Sequence, residues 1–393
     1  MLKVFKILNQ GKVLNNNSFE YILKSKKANV LKDRFLTKHY STHGKKTKWE
    51  KKIFSGIQPT GSVHLGNYFG AIEKWIDLQN EGNDVIYCIV DLHSITLPQD
   101  PQVLKTNILQ MTATLLACGI DPSKAILFRQ SDVHQHTELC WILSCLSTMA
   151  QLAHFPQYKE KSATLKDVPL GLFIYPVLQA ADILLYRATH VPVGQDQEQH
   201  LQMASTLARV FNSRFGSTFP SPNPLIEDSN RSRVRSLREP DKKMSKSHQD
   251  PKSRIELTDS TDSIVEKFKK AVTDCTSQIT YEPNLRPGVS NLISLHSLSS
   301  GKTIQQICDE NSHIDTGKYK SIVAEAVIEK IKPIREEINR LLDSLEYLEQ
   351  VLENGSEQAS SIAEVTLHDV KQRIGLDLSF KINNLDYLST KYV

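Results

Sequence analysis

The chain alternates short apolar runs with apolar residues at helical spacing, and then turns wholly helical in period after Thr258. Ile53 and Phe54, between Lys52 and Ser55, read as a short buried strand that Gly56, Pro59 and Gly61 turn away. Phe69, Ile72 and Ile76 share one face, which predicts a helix starting at Asn67. Val85 to Val90 is continuously apolar up to Asp91 and reads as a buried parallel strand. Pro101 to Gly119 is helical, Ala125 to Phe128 is strand, and His136 to Ala150 and Pro176 to Arg187 are helical. Val191 to Val193 forms another strand, with a long helix from about Asp196. This alternation predicts an α/β fold with a doubly wound parallel sheet.

After Thr258, Ile264–Val272, Ser290–Leu298, Thr303–Cys308 and Lys318–Glu353 all carry helical period, the last with a bend near Pro333. An appended all-helical domain follows. The expected layout is a leader over 1–48, a catalytic α/β domain over 49–257, the helical domain over 258–378 and a tail over 379–393. The proline-rich stretch Phe219–Pro224 marks a surface turn.

Charge separates the leader from the rest. The chain holds 48 Lys/Arg and 44 Asp/Glu, and residues 1–48 hold 12 of the bases but 2 of the acids. The leader is therefore +10 and the remainder −6. Leu2, Phe5 and Leu8 lie on one helical side, with Lys3, Lys6 and Gln10 on another. This basic, acid-poor, amphipathic profile fits an organellar presequence; a basic arm for nucleic acid is the alternative. No apolar run reaches the ~20 residues of a membrane span. The six cysteines show no C-x-x-C spacing, so they read as reduced, mostly core residues, without a structural metal.

Two motifs carry the chemistry. Gly56–Asn67 reads GIQPTGSVHLGN and places a glycine turn between a strand and a helix, where exposed backbone N–H groups suit phosphate. Lys243–Ser247 reads KMSKS, two lysines in a polar loop that suit a clamp for polyphosphate. Each alone has a plainer reading, as a tight turn with a surface histidine and as a solvated face. Further along, Tyr175, Gln179 and Asp182 fall on one helical face. Asp182 sits among apolar residues, so its carboxylate needs a partner, either a ligand or an N–H or hydroxyl of the protein itself.

Together the two motifs resemble those of class I aminoacyl-tRNA synthetases, with His64–Asn67 similar to their HIGH motif and Lys243–Ser247 identical to KMSKS. Phe54–Gly61 resembles the tryptophanyl-tRNA synthetases in particular, and the likeness runs from about Lys52 to Leu376. It implies a Rossmann-like catalytic domain, a helical domain that reads the anticodon, and a last helix packed back on the catalytic part. It also implies ligation of L-tryptophan to tRNA(Trp) through tryptophanyl-adenylate, with ATP bringing Mg²⁺. A homodimer off the membrane is implied, in the mitochondrial matrix where the leader would take it.

For the phosphates and the reaction, the resemblance points to His64, Asn67, Lys161, Lys243 and Lys246. For ATP it adds Gln58, Gly66, Gly194, Gln195, Asp196, Val234, Met244, Ser245 and Ser247; for tryptophan, Phe54, Gln58, Cys88, His93, Tyr175, Gln179, Asp182 and Gln197. His93 is equally readable as a core histidine. Gln179 leans toward the tyrosyl-tRNA synthetases, whose specificity helix also carries Tyr, Gln and Asp; Phe54 and Val193–Gln197 lean toward tryptophan. A nucleotidylyltransferase without tRNA is a further alternative, though such chains lack the helical appendage. Clustering alone places a tRNA-binding patch near Lys267, Lys269, Lys270 and Arg286.

Overall fold

The computed structural model describes residues 49–155, 158–159, 165–194, 197–225, 234–246 and 248–377. The leader and the tail expected at the two ends lie outside them, as do Lys161, Gln195, Asp196 and Ser247. Five parallel strands, β1 (Lys52–Ile57), β2 (Asp84–Ile89), β3 (Ile126–Arg129), β4 (His190–Pro192) and β5 (Asn223–Leu225), form one sheet in the order β3-β2-β1-β4-β5. β1 and β2 pair from Lys52 with Asp84 to Ile57 with Ile89. β5 was not read from the sequence, where Phe219–Pro224 looked like a turn alone. It is an edge strand, which tolerates the missing N–H of Pro224.

Strand residues alternate between two apolar cores. Ile53, Val85, Tyr87, Ile89 and Leu127 enter one, while Phe54, Ile86, Cys88, Val90 and Phe128 enter the other. This period of two, with both faces buried, is why the strands read as continuous apolar runs. The first core takes in helix α1, which is α-helical over Leu65–Asn67, π-helical over Tyr68–Ile72 and α-helical again over Glu73–Asn80. It begins two residues before the expected Asn67, because His64 is its N-cap. After the short α2 (Asp91–Ser94), α3 (Pro101–Cys118) joins the same core, capped by Asp100 and stopped by Gly119 at φ +114°.

The second core takes in α4 (Gln135–Ser144), α6 (Leu170–Leu185) and α7 (Glu198–Phe215). The single helix expected over His136–Ala150 is broken, since Thr148 starts a separate α5 (Met149–Ala153) with its own capping box. α6 begins six residues before Pro176, which it carries inside.

The C-terminal helices are α8 (Thr261–Lys269), α9 (Pro287–Ser300), α10 (Ile304–Glu310), α11 (Thr316–Leu342) and α12 (Leu345–Ile374). The helical stretch expected to run unbroken to Glu353 is two helices, separated at Asp343 and Ser344, and α11 runs through Pro333. α11 packs on α3, so its apolar residues extend the first core. α12 returns to β3 and α4. Lys267 and Arg286, expected in a tRNA patch, are both 8% exposed. Lys267 pairs with Asp259 at 2.5 Å, and Arg286 is locked by Asp274, Thr280 and the carbonyls of Thr276 and Gln278. Both therefore hold the fold, whereas Lys269 and Lys270 are exposed. Of the cysteines, Cys88 and Cys140 are buried in the second core, Cys118 and Cys308 pack half-buried against the first, and Cys145 and Cys275 are exposed.

α12 meets β3 closely at Gly355, where a Cβ would overlap the Leu127 carbonyl. Backbone cannot yield as a flexible side chain can. Gly355→Ala is expected to destabilise the protein by about 1–3 kcal/mol, as overpacking does. A lowered denaturant midpoint checks this; an unchanged one would mean that α12 and β3 separate freely.

Candidate active site

In the order β3-β2-β1-β4-β5 the direction of winding reverses between β1 and β4, and ligands of open α/β sheets bind beyond the strand ends at that point. β1 runs there into the glycine turn and β4 runs into Val193 and Gly194. Gly61 has φ +86°, a conformation costly to any other residue, which lets the chain double back toward His64. His64 Nδ1 accepts from the Asn67 N–H at 3.2 Å. Burial lowers the His64 pKa to about 4, with help from Lys246, Arg254 and Lys243. At neutral pH the ring is uncharged, and its remaining proton sits on Nε2 as a donor. At Gly66 a Cβ would come within 3.0 Å of the His64 ring and 3.4 Å of Met244 Cβ, so this glycine lets both close on the helix start. Asn67 Oδ1 is buried without a hydrogen bond among the described residues. Gln58 is exposed on the turn.

The second motif folds onto the first. Met244 N–H donates to the Val234 carbonyl at 3.2 Å, and Arg235 bridges to Lys243. Val234 and Met244 are 1% and 2% exposed, so both are already covered by protein. Downstream, Leu65 N–H donates to the Ile255 carbonyl and Leu257 N–H to the Val63 carbonyl, each at 2.9 Å. Lys246 Nζ reaches Thr60 Oγ1 at 3.3 Å and the Gly61 carbonyl at 3.2 Å. Burial brings its pKa down to about 8, partly opposed by Glu256. Lys243 stays exposed at the surface of the loop, and Ser245 beside it is half-buried. The two motifs, remote in sequence, thus make one cationic, donor-rich corner.

On the other side of β1 lies Asp182, 1% exposed on α6. Its Oδ1 accepts from His136 Nδ1 at 2.6 Å and Gln130 Nε2 at 2.7 Å, and its Oδ2 from His93 Nε2 at 2.8 Å. Burial by itself would raise this carboxyl, but hydrogen bonds from His136 and His93 outweigh it and hold the pKa at about 2. His136 Nε2 meets the Tyr186 hydroxyl at 2.8 Å. Phe54 stacks on Tyr186 with ring centres 5.5 Å apart, and Cys88, fully buried beneath, has its thiol pushed well up by burial. Tyr175 and Gln179 turn toward the start of α7. The Tyr175 hydroxyl lies 2.8 Å from His200 Nε2, and Gln179 Nε2 lies 3.5 Å from Gln197 Oε1. Gly194 accepts the Gln197 N–H at 3.0 Å.

Sequence reasoning anticipated a protein partner for Asp182 only as one of two readings, and it missed Gln130, His136 and Tyr186. Gln130 carried a usable signal, since it lies two residues beyond the strand expected over Ala125–Phe128, where ligand-facing residues gather. His136 and Tyr186 carried none, being ordinary residues within helical patterns. Thr60 likewise gave no sign of meeting Lys246.

A family model described as tRNA synthetases class I (W and Y) matches residues 46–332. The chain belongs to this family. A tryptophan–tRNA ligase of Caldanaerobacter subterraneus subsp. tengcongensis is 43% identical over 328 residues, covering 84% of this chain and 99% of the relative. The mitochondrial tryptophan–tRNA ligase of Caenorhabditis elegans is 46% identical over 329 residues, covering 82% and 90%. The crystal structure of the Campylobacter jejuni tryptophanyl-tRNA synthetase complexed with ADP and tryptophan superposes with a TM-score of 0.74 at 33% identity, covering 83% of this chain and all of that one. A tyrosyl-tRNA synthetase from Aeropyrum pernix, at 18% identity and a TM-score of 0.57, shares the fold. In this class I tRNA synthetase, then, the glycine turn and the KMSKS loop stand together at the switch point.

His64 ties that corner to pH. Its unfolded pKa is 6.5 and its folded value about 4, so as pH falls between them the unfolded chain takes up a proton that the folded one refuses. Stability should fall across this window. In His64→Asn, which keeps an N-capping side chain, that contribution should vanish. Unfolding free energies of both proteins from pH 7 to 4 check this; parallel curves would show that His64 is not held uncharged.

Proposed function

We propose that this protein ligates L-tryptophan to tRNA(Trp) in mitochondria, through a tryptophanyl-adenylate. The observation that carries the chemistry is Lys246 seated on the Thr60–Gly61 turn next to His64, a cationic corner at the switch point of a tryptophan–tRNA ligase fold. The tryptophan carboxylate attacks the α-phosphorus of ATP, the bond from that phosphorus to the bridging oxygen breaks, and pyrophosphate leaves. The carboxylate needs no base, so charge stabilisation and positioning supply the rate. His64 Nε2–H, Asn67 and the Gly66 backbone hold phosphates; Lys243 and Lys246 take the charge of the departing pyrophosphate, and Lys161, assigned from the resemblance alone, is a third contact. The adenosine half meets Gly194, Gln195 and Asp196. Asp182 receives the indole N–H, and Tyr175 and Gln197 face the amino group. Mg²⁺ arrives on ATP. The tRNA 3′-terminal hydroxyl then attacks the acyl carbon and AMP leaves.

The +10 leader and a 46% identical mitochondrial relative support the matrix as the place of action. Among the described residues no helix is long and apolar enough to cross a membrane. Trp141, Met149 and Leu170 are 72%, 76% and 70% exposed on α4, α5 and α6, of which α6 packs on the other two, and exposed apolar residues of this kind suit pairing with a second copy. With Lys267 and Arg286 engaged in the fold, tRNA contact falls to exposed bases such as Lys269 and Lys270.

ATP–pyrophosphate exchange with each of the twenty amino acids should single out tryptophan; preference for tyrosine would overturn the assignment. Lys246→Ala should lower exchange by ~10²–10³-fold, as loss of one preorganised donor does. Near-normal exchange would remove this lysine from the mechanism. Residues 1–48 fused to a reporter should carry it into mitochondria, and a reporter left in the cytosol would defeat the presequence.

A further inference from the structure

A carboxylate has about four directions from which a donor can approach, two on each oxygen. On Asp182, Oδ1 is filled by His136 and Gln130, and one direction of Oδ2 by His93. Among the described residues one direction remains open, on Oδ2. We propose that His136, backed by the Tyr186 hydroxyl, is a positioning residue for amino-acid selection: with Gln130 it closes Oδ1, leaving Asp182 a single acceptor direction for one N–H of the substrate. This rests on the reading of Asp182 as the acceptor of the indole N–H.

Both donors to Oδ1 are fixed by a second contact. Gln130 Oε1 accepts the Leu92 N–H at 3.2 Å, so its amide nitrogen must face Asp182. His136 Nδ1 must donate, because an ionised carboxylate only accepts, and Nε2 lies 2.8 Å from the Tyr186 hydroxyl. Tyr186 is in turn clamped between Phe54 and Phe128, at 5.5 and 5.7 Å between ring centres. The helix start carrying His136 is tied down from α12. Gln135 donates to Ser360 at 3.2 Å and Glu364 at 3.0 Å, and Lys371 pairs with Glu138 at 2.8 Å.

His136 is 0% exposed and so acts through Asp182. A purely structural role explains this poorly, because apolar residues of similar volume fill a buried site at no greater cost than an ionic cluster. What the cluster adds is aim. A carboxylate free to rotate would offer its open direction elsewhere, and small misplacements of a binding group are expensive.

The test uses ATP–pyrophosphate exchange with tryptophan and with β-(benzothiophen-3-yl)alanine, in which sulfur replaces the indole N–H. His136→Phe should lower kcat/KM for tryptophan about 10- to 100-fold, mainly through KM, as loss of a hydrogen bond to a charged group does. The analogue makes no bond to Asp182, so its kcat/KM should change much less. His136→Asn, whose amide nitrogen can stand near the Nδ1 position, should recover most of the tryptophan rate. Equal losses for both substrates would make His136 a structural residue and overturn the proposal. If His136→Phe does not fold, Tyr186→Phe, which removes only the backing hydroxyl, should show the same split on a smaller scale; no split there also overturns it. Wild-type protein that activates no tryptophan would instead sink the functional reading beneath it.

Discussion

An ionised carboxylate sealed between a sheet and a helix is the constraint around which this fold is organised. Asp182 is 1% exposed, and a lone charge there would cost several kcal/mol. The cost is offset only if donors arrive from several elements at once. His93 comes from α2 after β2, Gln130 from the end of β3, and His136 from α4. The C-terminal ends of two strands and the starts of two helices therefore have to meet at one point beside α6. Removing any donor leaves charge unpaired, so the arrangement resists gradual distortion.

The last helix belongs to the same logic. α12 bonds to α4 through Gln135 and Glu138, and to the end of α6 through Arg187, whose guanidinium meets Asp369 at 2.6 Å. These are the two helices that carry His136 and Asp182. Exposed ion pairs contribute little singly. Here they act with the seat of Gly355 on β3, where backbone meets backbone and leaves no room for sliding. A region expected from resemblance to serve tRNA is thus part of what holds the cluster around Asp182, and the first core likewise runs without a break from β1 to α11.

How much of this was legible follows from which signals are local. Strands buried on both faces must be continuously apolar, so β1 to β3 could be read directly. α3 announced itself by Pro101 at its start and Gly119 at its end. Helix breaks were harder, because the interruption at Asp343–Ser344 falls between two stretches of the same period. The motifs at His64 and Lys246 were visible as motifs, while the contact of Lys246 with Thr60 was not, since pairings across 186 residues leave no trace in a single sequence. The same holds for Asp182. Its need for partners followed from its apolar neighbours, but which residues answered that need depended on how three loops converge. Lys267 and Arg286 show the opposite error: charge clustering suggested a surface role, and burial with Asp259 and Asp274 gave them a structural one.

The two halves of the site solve opposite electrostatic problems within one sheet. At the glycine turn the protein gathers cations, and burial, aided by repulsion from Lys246, Arg254 and Lys243, lowers the pKa of the histidine among them to about 4 and keeps it uncharged at neutral pH. Lys246, lowered to about 8, remains mostly protonated at neutral pH but is held on neutral oxygens of Thr60 and Gly61. Such a corner is short of negative charge until a polyphosphate enters it. At Asp182 the negative charge is already answered in full, save for one direction. The function proposed above sets the phosphates of ATP against this like-charged corner and one N–H of tryptophan against a carboxylate that is otherwise nearly satisfied. On that reading affinity is concentrated where the leaving charge develops, and selectivity where the side chain must be told from its neighbours.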